Sequence, residues 1–314
     1  MKTSLLLTEA IDFYLSARRS LGFTLTPNEE LLRSLARYAE NVGHRGPLTE
    51  KLALDWVRLP QSAKPAWWAR RLAVVHRFAR FWHEFDAKVQ VPPLGLFGPE
   101  GRRGPVHIYT KEEIGNLLEA ALALPPVESL RPATFYTLLG LLACTGLRIS
   151  EALHLQTCDF DPGVGTLTIR RSKGGRSRHV PLKPSSLAKL QDYQRLRQQH
   201  HPDSNSSAFF LSDKGQPLSY RQAERGFRFL RKKLGWTYPP LPRMHDLRHT
   251  FAVDRLISWQ RRGDAQVEQK ILALATYLGH RNIRHTYWYL SAVPELLALA
   301  SKRMRNRSTW EGRS

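Results

Sequence analysis

Two helices are predicted to meet in the segment Thr145-Gly146-Leu147-Arg148-Ile149-Ser150-Glu151-Ala152-Leu153. Gly146 predicts the end of the first helix, because glycine readily adopts the left-handed conformation that closes many helices. Arg148 then stands at the start of the second helix, and Glu151 follows one turn later on the same face. We therefore expect the Glu151 carboxylate to hold the Arg148 guanidinium.

The sequence on either side of this segment predicts further helices and one hairpin. Thr110-Lys111-Glu112-Glu113 has the form of a capping box that opens an amphipathic helix. Farther along, Gly165–Ile169 and Arg178–Leu182 are typical of two short strands, and Ser172-Lys173-Gly174-Gly175 is typical of the turn between them. The remaining apolar spacing in this half is helical. The predicted fold class is therefore mainly α with a small β-sheet.

The chain is expected to form two domains. Apolar residues recur at helical spacing from Leu5 to about Phe85, which predicts a helical domain over residues 1–95. The segment Val91 to Val106 contains four prolines and four glycines, which neither a helix nor a strand tolerates. We assign residues 96–106 to a linker and residues 107–314 to an α+β domain with a C-terminal interaction tail.

The charge of the chain indicates a polyanionic partner. Its 314 residues include 48 Lys and Arg against 27 Asp and Glu, a formal net charge of +21 that exceeds what solubility requires. Nucleic acid is the leading candidate. No apolar run approaches the ~20 residues of a spanning helix, and Glu9 and Asp12 interrupt the apolar start too early for a signal peptide. We therefore expect a cytoplasmic protein that acts at the nucleoid and has no membrane partner.

One N-terminal helix is a candidate DNA contact. From Trp67 to Trp82 aromatic residues alternate with arginines at a spacing that gives one apolar and one basic face. An equally weighted interpretation is that the aromatics are core and the arginines are merely solvated. The candidate DNA contacts on this helix and in the linker are Arg70, Arg71, Arg77, Arg80, Arg102 and Arg103.

Three further segments supply chemistry that a phosphodiester exchange needs. His245 and Arg248 stand at i and i+3 in Met244-His245-Asp246-Leu247-Arg248, so both fall on one helix face. His280 ends Tyr277-Leu278-Gly279-His280, and Tyr289 follows nine residues later. Guanidinium groups suit a phosphate because they offer paired donors and keep their proton. A phenol can act as the nucleophile if a base or a positive field assists it.

Together and in this order, these segments resemble the tyrosine recombinase, or phage integrase, family, which includes the bacterial Xer recombinases. The resemblance runs motif by motif from about Thr110 to Ala292, and the N-terminal half is similar only in character, as a small helical core-binding (SAM-like) domain. The interval between Arg248 and His280 is longer than is usual in the family. The positions that match the family's catalytic set are Arg148, Lys173, His245, Arg248, His280 and Tyr289, with Glu151 in support.

This resemblance implies the activity and the assembly. Tyr289 is expected to attack DNA and form a 3′-phosphotyrosyl bond, with Lys173 as the general acid and with neither a metal nor another cofactor. The partner is expected to be double-stranded DNA, and the two domains are expected to form a C-shaped clamp on it. The apolar segment Pro294–Met304 is expected to dock on a neighbouring protomer, which implies a tetramer on synapsed DNA and a monomer or dimer when free. The biological role is expected to be integration or excision of a mobile element.

Several alternatives stay open at this stage. Tyr287 is a rival nucleophile, although its distance from His280 fits the family less well than that of Tyr289. His245 and His249 have the i, i+4 spacing of a zinc-binding helix, but no third ligand is obvious and Arg248 would place a cation beside the metal. Resolution of chromosome or plasmid dimers, as by Xer proteins, is a second biological role. A DNA-binding protein of the same fold that does not cut is a further class.

Overall fold

The structure is a computed structural model that describes residues 6–23, 25–99, 105–170, 177–262, 266–279 and 286. The chain divides into two units, Met1–Gly104 and Pro105–Ser314, and this boundary lies within the predicted linker. The roles predicted for several positions stay predictions, because those positions lie outside the described residues: Arg102, Arg103, Lys173, His280, Tyr287, Tyr289 and the segment Pro294–Met304.

The first unit is helical, as the apolar spacing predicts. The Thr49 side chain caps one helix by accepting a hydrogen bond from the Leu52 backbone N–H at 3.2 Å, and Pro65 opens the next. Leu32, Leu35, Trp56 and Phe78 lie fully buried in its core. The helices are α1 (Leu7–Ser20), α2 (Thr26–Asn41), α3 (Glu50–Arg58) and α4 (Pro65–His83).

Helix α4 has the predicted apolar and basic faces. Phe78 and Trp82 are buried among the other helices, whereas Arg70, Arg77 and Arg80 are exposed. The spacing of these three arginines places them on one side of the helix. They form a basic face that is open to a partner.

Arg71 corrects the sequence interpretation. The residue is buried, with 8% of its surface exposed, and its Nη2 donates a hydrogen bond to the Trp56 carbonyl at 2.6 Å. The guanidinium also stacks on the Trp56 ring, 3.6 Å from its centroid, and burial lowers the pKa of Arg71. Arg71 therefore stabilises the packing of α4 on α3, and we withdraw it as a DNA contact.

In its described residues, the second unit is mainly helical and carries one antiparallel sheet of three strands. The predicted hairpin consists of the second and third strands, in which Thr166 pairs with Pro181 and Ile169 pairs with Arg178. The additional first strand pairs Phe160 with Leu167. The helices are α5 (Lys111–Leu122), α6 (Arg131–Thr145), α7 (Ile149–Leu153), α8 (Pro184–His200), α9 (Tyr220–Lys233), α10 (Met244–Arg261) and α11 (Val267–Tyr277), and the strands are β1 (Phe160–Asp161), β2 (Thr166–Ile169) and β3 (Arg178–Pro181).

Helix α6 crosses the core of this unit, where Leu138, Leu139 and Leu142 are almost completely buried. It packs against α5, α8 and α10. The predicted capping box begins α5, because the Thr110 side chain accepts a hydrogen bond from the Glu113 backbone N–H at 3.0 Å. Among the described residues, no helix is both long and apolar enough to cross a lipid bilayer.

Candidate active site

The predicted helix end at Gly146 is confirmed and creates the first corner of the site. Gly146 has a φ of 64°, and its backbone N–H donates to the Leu142 carbonyl at 2.9 Å. A Cβ at this position would lie 2.5 Å from Cδ1 of Phe251 on α10. Glycine is therefore required twice, once by the backbone conformation and once by the close packing of α10.

We predict that Gly146→Ala lowers the free energy of unfolding by about 2–5 kcal/mol. The left-handed conformation costs a side chain roughly 1–2 kcal/mol, and the displacement of Phe251 adds roughly 1–3 kcal/mol. Urea unfolding measures the change. The matched control is Gly165→Ala. Gly165 has a φ of 72°, and no atom lies within 4 Å of the new Cβ, so this variant should lose only the roughly 1–2 kcal/mol of the left-handed conformation. Equal losses in both variants would contradict the packing argument.

Arg148 occupies the N-cap position of α7, and two partners fix its guanidinium. Its Nη1 donates to Oε1 of Glu151 at 2.7 Å, and its Nη2 donates to the Gly279 carbonyl at 2.7 Å. Its backbone N–H donates to Oε2 of Glu151 at 3.0 Å. The predicted contact between Arg148 and Glu151 is therefore present. About a fifth of the Arg148 side chain stays exposed to solvent.

Glu151 is a buried carboxylate that two arginines share. Besides Arg148, it binds Arg178 of β3, whose Nη1 and Nη2 donate to Oε1 and Oε2 at 3.0 and 2.8 Å. Burial alone would raise the pKa of Glu151, but the hydrogen bonds and charges of Arg178 and Arg148 lower it to about 2. Glu151 is therefore ionised throughout the physiological pH range.

Arg248 brings a second guanidinium to the same place. The residue is almost completely buried, and its Nη1 and Nη2 donate to the carbonyls of Gly146 at 2.8 Å and Leu278 at 2.6 Å. Arg148 binds the adjacent Gly279 carbonyl, so both arginines are anchored on the turn that follows α11. Segments that are more than a hundred residues apart in sequence thus converge on this turn.

His245 lies beside these arginines at the start of α10. Asp246 is fully buried and accepts hydrogen bonds from the Arg243 backbone N–H at 2.9 Å and from Arg243 Nη2 at 2.7 Å, which fixes this end of the helix. The residue as a whole is exposed to solvent. Desolvation of its ring by the protein beside it and the charge of Arg248 nevertheless lower the pKa of His245 to about 4. The imidazole is therefore neutral at physiological pH and able to accept a proton.

The zinc alternative gains no third ligand from the described part of the chain. The His245 and His249 rings meet edge to face, with centroids 4.7 Å apart. Among the residues that the structure describes, no group of three or more His, Cys, Asp or Glu side chains is placed to hold a metal ion. The positive charge of Arg248 beside His245 opposes a cation there.

A basic face on α9 was missed by the sequence interpretation. Four of the five exposed cationic side chains of α9 share one stripe of the helix, and none of the four forms a salt bridge with a described residue. The opposite face of the helix is buried through Phe227 and Leu230. The missed signal is spacing, because the four residues recur at i, i+4, i+7 and i+11, which places them on one stripe. They are Arg221, Arg225, Arg228 and Lys232.

Comparison with known proteins agrees with the predicted family. The model of the phage integrase family matches residues 108–295. A protein of Sinorhizobium fredii named integrase/recombinase y4rB is 38% identical over 98% of each chain. Tyrosine recombinase XerC of Rhodospirillum centenum is 30% identical over 90% of this chain and 81% of its own.

Solved structures share the fold. The Tn1549 transposon integrase in complex with transposon right end DNA has a TM-score of 0.70 at 18% identity, covering 96% of this chain and 99% of that chain. The XerH recombinase bound to its difH substrate has a TM-score of 0.60 at 20% identity, covering 86% of this chain and 77% of that chain. The family that the motifs predict is thus confirmed. This chain belongs to the phage integrase family of tyrosine recombinases, enzymes that cleave and rejoin DNA through a tyrosine intermediate.

Proposed function

We propose that this chain is a site-specific recombinase in which Tyr289 is the nucleophile and Arg148, Lys173, His245, Arg248 and His280 assist it. One observation carries the proposal. Arg148 and Arg248 come from distant segments, and both bind carbonyls of the turn formed by Leu278 and Gly279. In sequence, His280 directly follows this turn. The segments that contain Arg148, Arg248 and Leu278-Gly279 therefore meet at one point.

The chemistry follows from this arrangement. The Tyr289 oxygen attacks the scissile phosphorus, a 3′-phosphotyrosyl bond forms, and the bond to the 5′ oxygen breaks. Arg148 and Arg248 donate hydrogen bonds to the non-bridging oxygens as negative charge grows on them, and His280 adds another. Lys173 delivers a proton to the departing 5′ oxygen. The reaction is reversible, because a 5′ hydroxyl of another strand can attack the same linkage.

His245 fits the role of a proton acceptor for the Tyr289 hydroxyl. A phenol has an unperturbed pKa near ~10, so attack at neutral pH requires a neighbouring base or a positive field. Neutral His245 is such a base, and Arg148 and Arg248 supply the field. A bound phosphate offsets part of their positive charge and thereby makes His245 more basic at the moment when the proton must move.

We assign the activity to integration and excision of a mobile element, in the cytoplasm. The relative named integrase/recombinase is more similar to this chain than the named Xer relatives, at 38% against 30% and 26% identity. A transposon integrase also gives a higher TM-score than XerH, 0.70 against 0.60. We further propose that four protomers act together on synapsed DNA, with the tail Pro294–Met304 docking between protomers.

A selection experiment tests the proposed function. Wild-type protein is incubated with nicked suicide duplexes of random sequence, in which the cut fragment diffuses away and leaves the protein attached to DNA. DNA that stays bound to denatured protein is recovered and sequenced, and the sequence obtained defines a duplex for all later assays. We expect enrichment of one site with inverted repeats. Tight binding of DNA without covalent attachment would favour a protein of this fold that does not cut.

We predict that the basic face of α9 contacts DNA phosphates. Arg225→Ala and Arg228→Ala should each weaken binding of the selected duplex and reduce the slope of log affinity against log salt by about 0.9 for each lost phosphate contact. Fluorescence anisotropy at several salt concentrations measures both quantities. The matched control is Arg195→Ala on α8, an exposed arginine that is paired with Asp192. Unchanged binding by both α9 variants would contradict this contact.

A further inference from the structure

Arg178 makes a two-point ion pair in the site, although it is not among the catalytic positions that the family resemblance assigns. Its two terminal nitrogens bind the two Glu151 oxygens at 3.0 and 2.8 Å. The side chains are 14% and 5% exposed, respectively. A fork-to-fork contact between two buried planar groups fixes their orientation as well as their distance. Lysine could not reproduce this geometry, because its ammonium is a point charge.

The same carboxylate also holds Arg148. Oε1 of Glu151 accepts from Arg148 Nη1, and Oε2 accepts from the Arg148 backbone N–H. Both oxygens therefore bind one donor from Arg148 and one from Arg178. Any rotation of the carboxylate away from Arg178 changes the position of the Arg148 guanidinium.

Arg178 also stands at the base of the predicted catalytic hairpin. It begins β3 and pairs with Ile169, the last residue of β2, and Lys173 belongs to the segment between these two residues. Both guanidiniums lie close to Gly279. A Cβ at this position would lie 3.2 Å from Arg178 Nη1 and 3.4 Å from Arg148 Nη1. The two guanidiniums therefore pack side by side against the turn before His280.

We propose that Arg178 is a positioning residue, which orients the Arg148 guanidinium through the Glu151 carboxylate. The proposal rests on the proposed function. In this arrangement, Arg178 holds the carboxylate that orients the guanidinium proposed to bind the scissile phosphate.

The proposal predicts a distinctive pH dependence. Arg148 and Arg178 are the charged groups that act on Glu151. Beyond them, His245 on α10 lies near Arg148, Tyr277 on α11 lies near Arg178, and Arg248 lies near both His245 and Tyr277. In the free protein the pKa of His245 is about 4 and that of Tyr277 is about 12. Because bound phosphate makes His245 more basic, a loss of activity at low pH that wild type also shows is assigned to His245 and not to Glu151. Without Arg178, the buried Glu151 loses two hydrogen bonds and a charge, so its pKa rises toward the range of a practical assay. Below the new pKa, a protonated Glu151 holds Arg148 poorly.

The experiment measures single-turnover covalent attachment to the selected duplex from about pH 5 to about pH 8. In wild type, protonation of Glu151 should not lower the rate of attachment at the acid end of the range, because the pKa of Glu151 is about 2. A fall in rate toward low pH is called an acid limb below. Arg178→Gln should be slower by about tenfold at the upper end and should lose further activity as the pH falls. Arg178→Gln combined with Glu151→Gln should be slow at every pH, because the titrating group is gone. Arg178→Lys should retain part of the rate and shift the acid limb to lower pH.

The outcomes separate this proposal from the proposed function. A loss in Arg178→Gln that is equal at every pH, or an acid limb that persists when Glu151→Gln is added, would overturn the positioning role. Failure of wild type to attach would count against the proposed function and this proposal together. Circular dichroism and duplex binding establish that each variant is folded. If Arg178→Gln does not fold, Arg178→Lys is compared with wild type, and an unchanged pH profile in that variant overturns the proposal.

Discussion

Tyr289→Phe is expected to abolish covalent attachment to the selected duplex, and Tyr287→Phe is expected to attach as wild type does. Removal of the phenolic oxygen removes the nucleophile, so no 3′-phosphotyrosyl bond can form. The spacing of nine residues after His280 that the family resemblance implies selects Tyr289 and not Tyr287. Denaturing gel electrophoresis with labelled DNA measures the attached fraction.

The two tyrosine variants are matched controls for each other, because each loses one hydroxyl from the same segment. Both should bind the uncut duplex with wild-type affinity. Attachment by Tyr289→Phe together with loss in Tyr287→Phe would move the nucleophile to Tyr287. Loss in both variants with normal binding would show that Tyr287 also contributes, for example by orienting the segment. Mixing Tyr289→Phe with an Arg148 variant would further show whether the tyrosine acts within its own subunit.

Local signals in the sequence were sufficient for much of the fold. Gly146 and the capping box at Thr110 act through the backbone conformation of a few neighbouring residues, so a short segment contains the information. Strand β1 was not predicted, because its two residues are too few to show a periodicity. Its existence depends on the pairing of Phe160 with Leu167, which only the folded chain brings about.

The site shows the same division between local and distant causes. The proximity of Arg148 to Glu151 follows from their spacing on one helical turn. The contribution of Arg178 does not, because its partner lies 27 residues earlier and on a different element. Arg71 gives the converse case, since its place in a basic and aromatic helix suggested exposure, whereas a Trp56 ring from a neighbouring helix buries it. Patterns in one helix indicate which residues share a face, and they do not show what covers that face.

Arg148→Lys is expected to slow covalent attachment by about 10²–10³-fold, the loss typical when one donor to a developing anionic charge is removed. The substitution retains the positive charge but loses the planar fork that binds Glu151 and the Gly279 carbonyl together. Substitution of Arg148 tests the catalytic role with less effect on stability than substitution of Arg248. Arg248 is buried and satisfies two backbone carbonyls, so its replacement also destabilises the fold.

The matched control for this prediction is Arg255→Lys, which changes an arginine of α10 that stacks on Phe251, 5.1 Å from the ring centroid. Arg255→Lys should attach at close to the wild-type rate, and both variants should bind the uncut duplex with affinities within a few-fold of wild type. The comparison is made at saturating protein, so that the rate reports the chemical step rather than binding. An undiminished rate for Arg148→Lys would mean that charge alone is sufficient at this position, and the paired donors that its two anchors orient would have no part in cleavage.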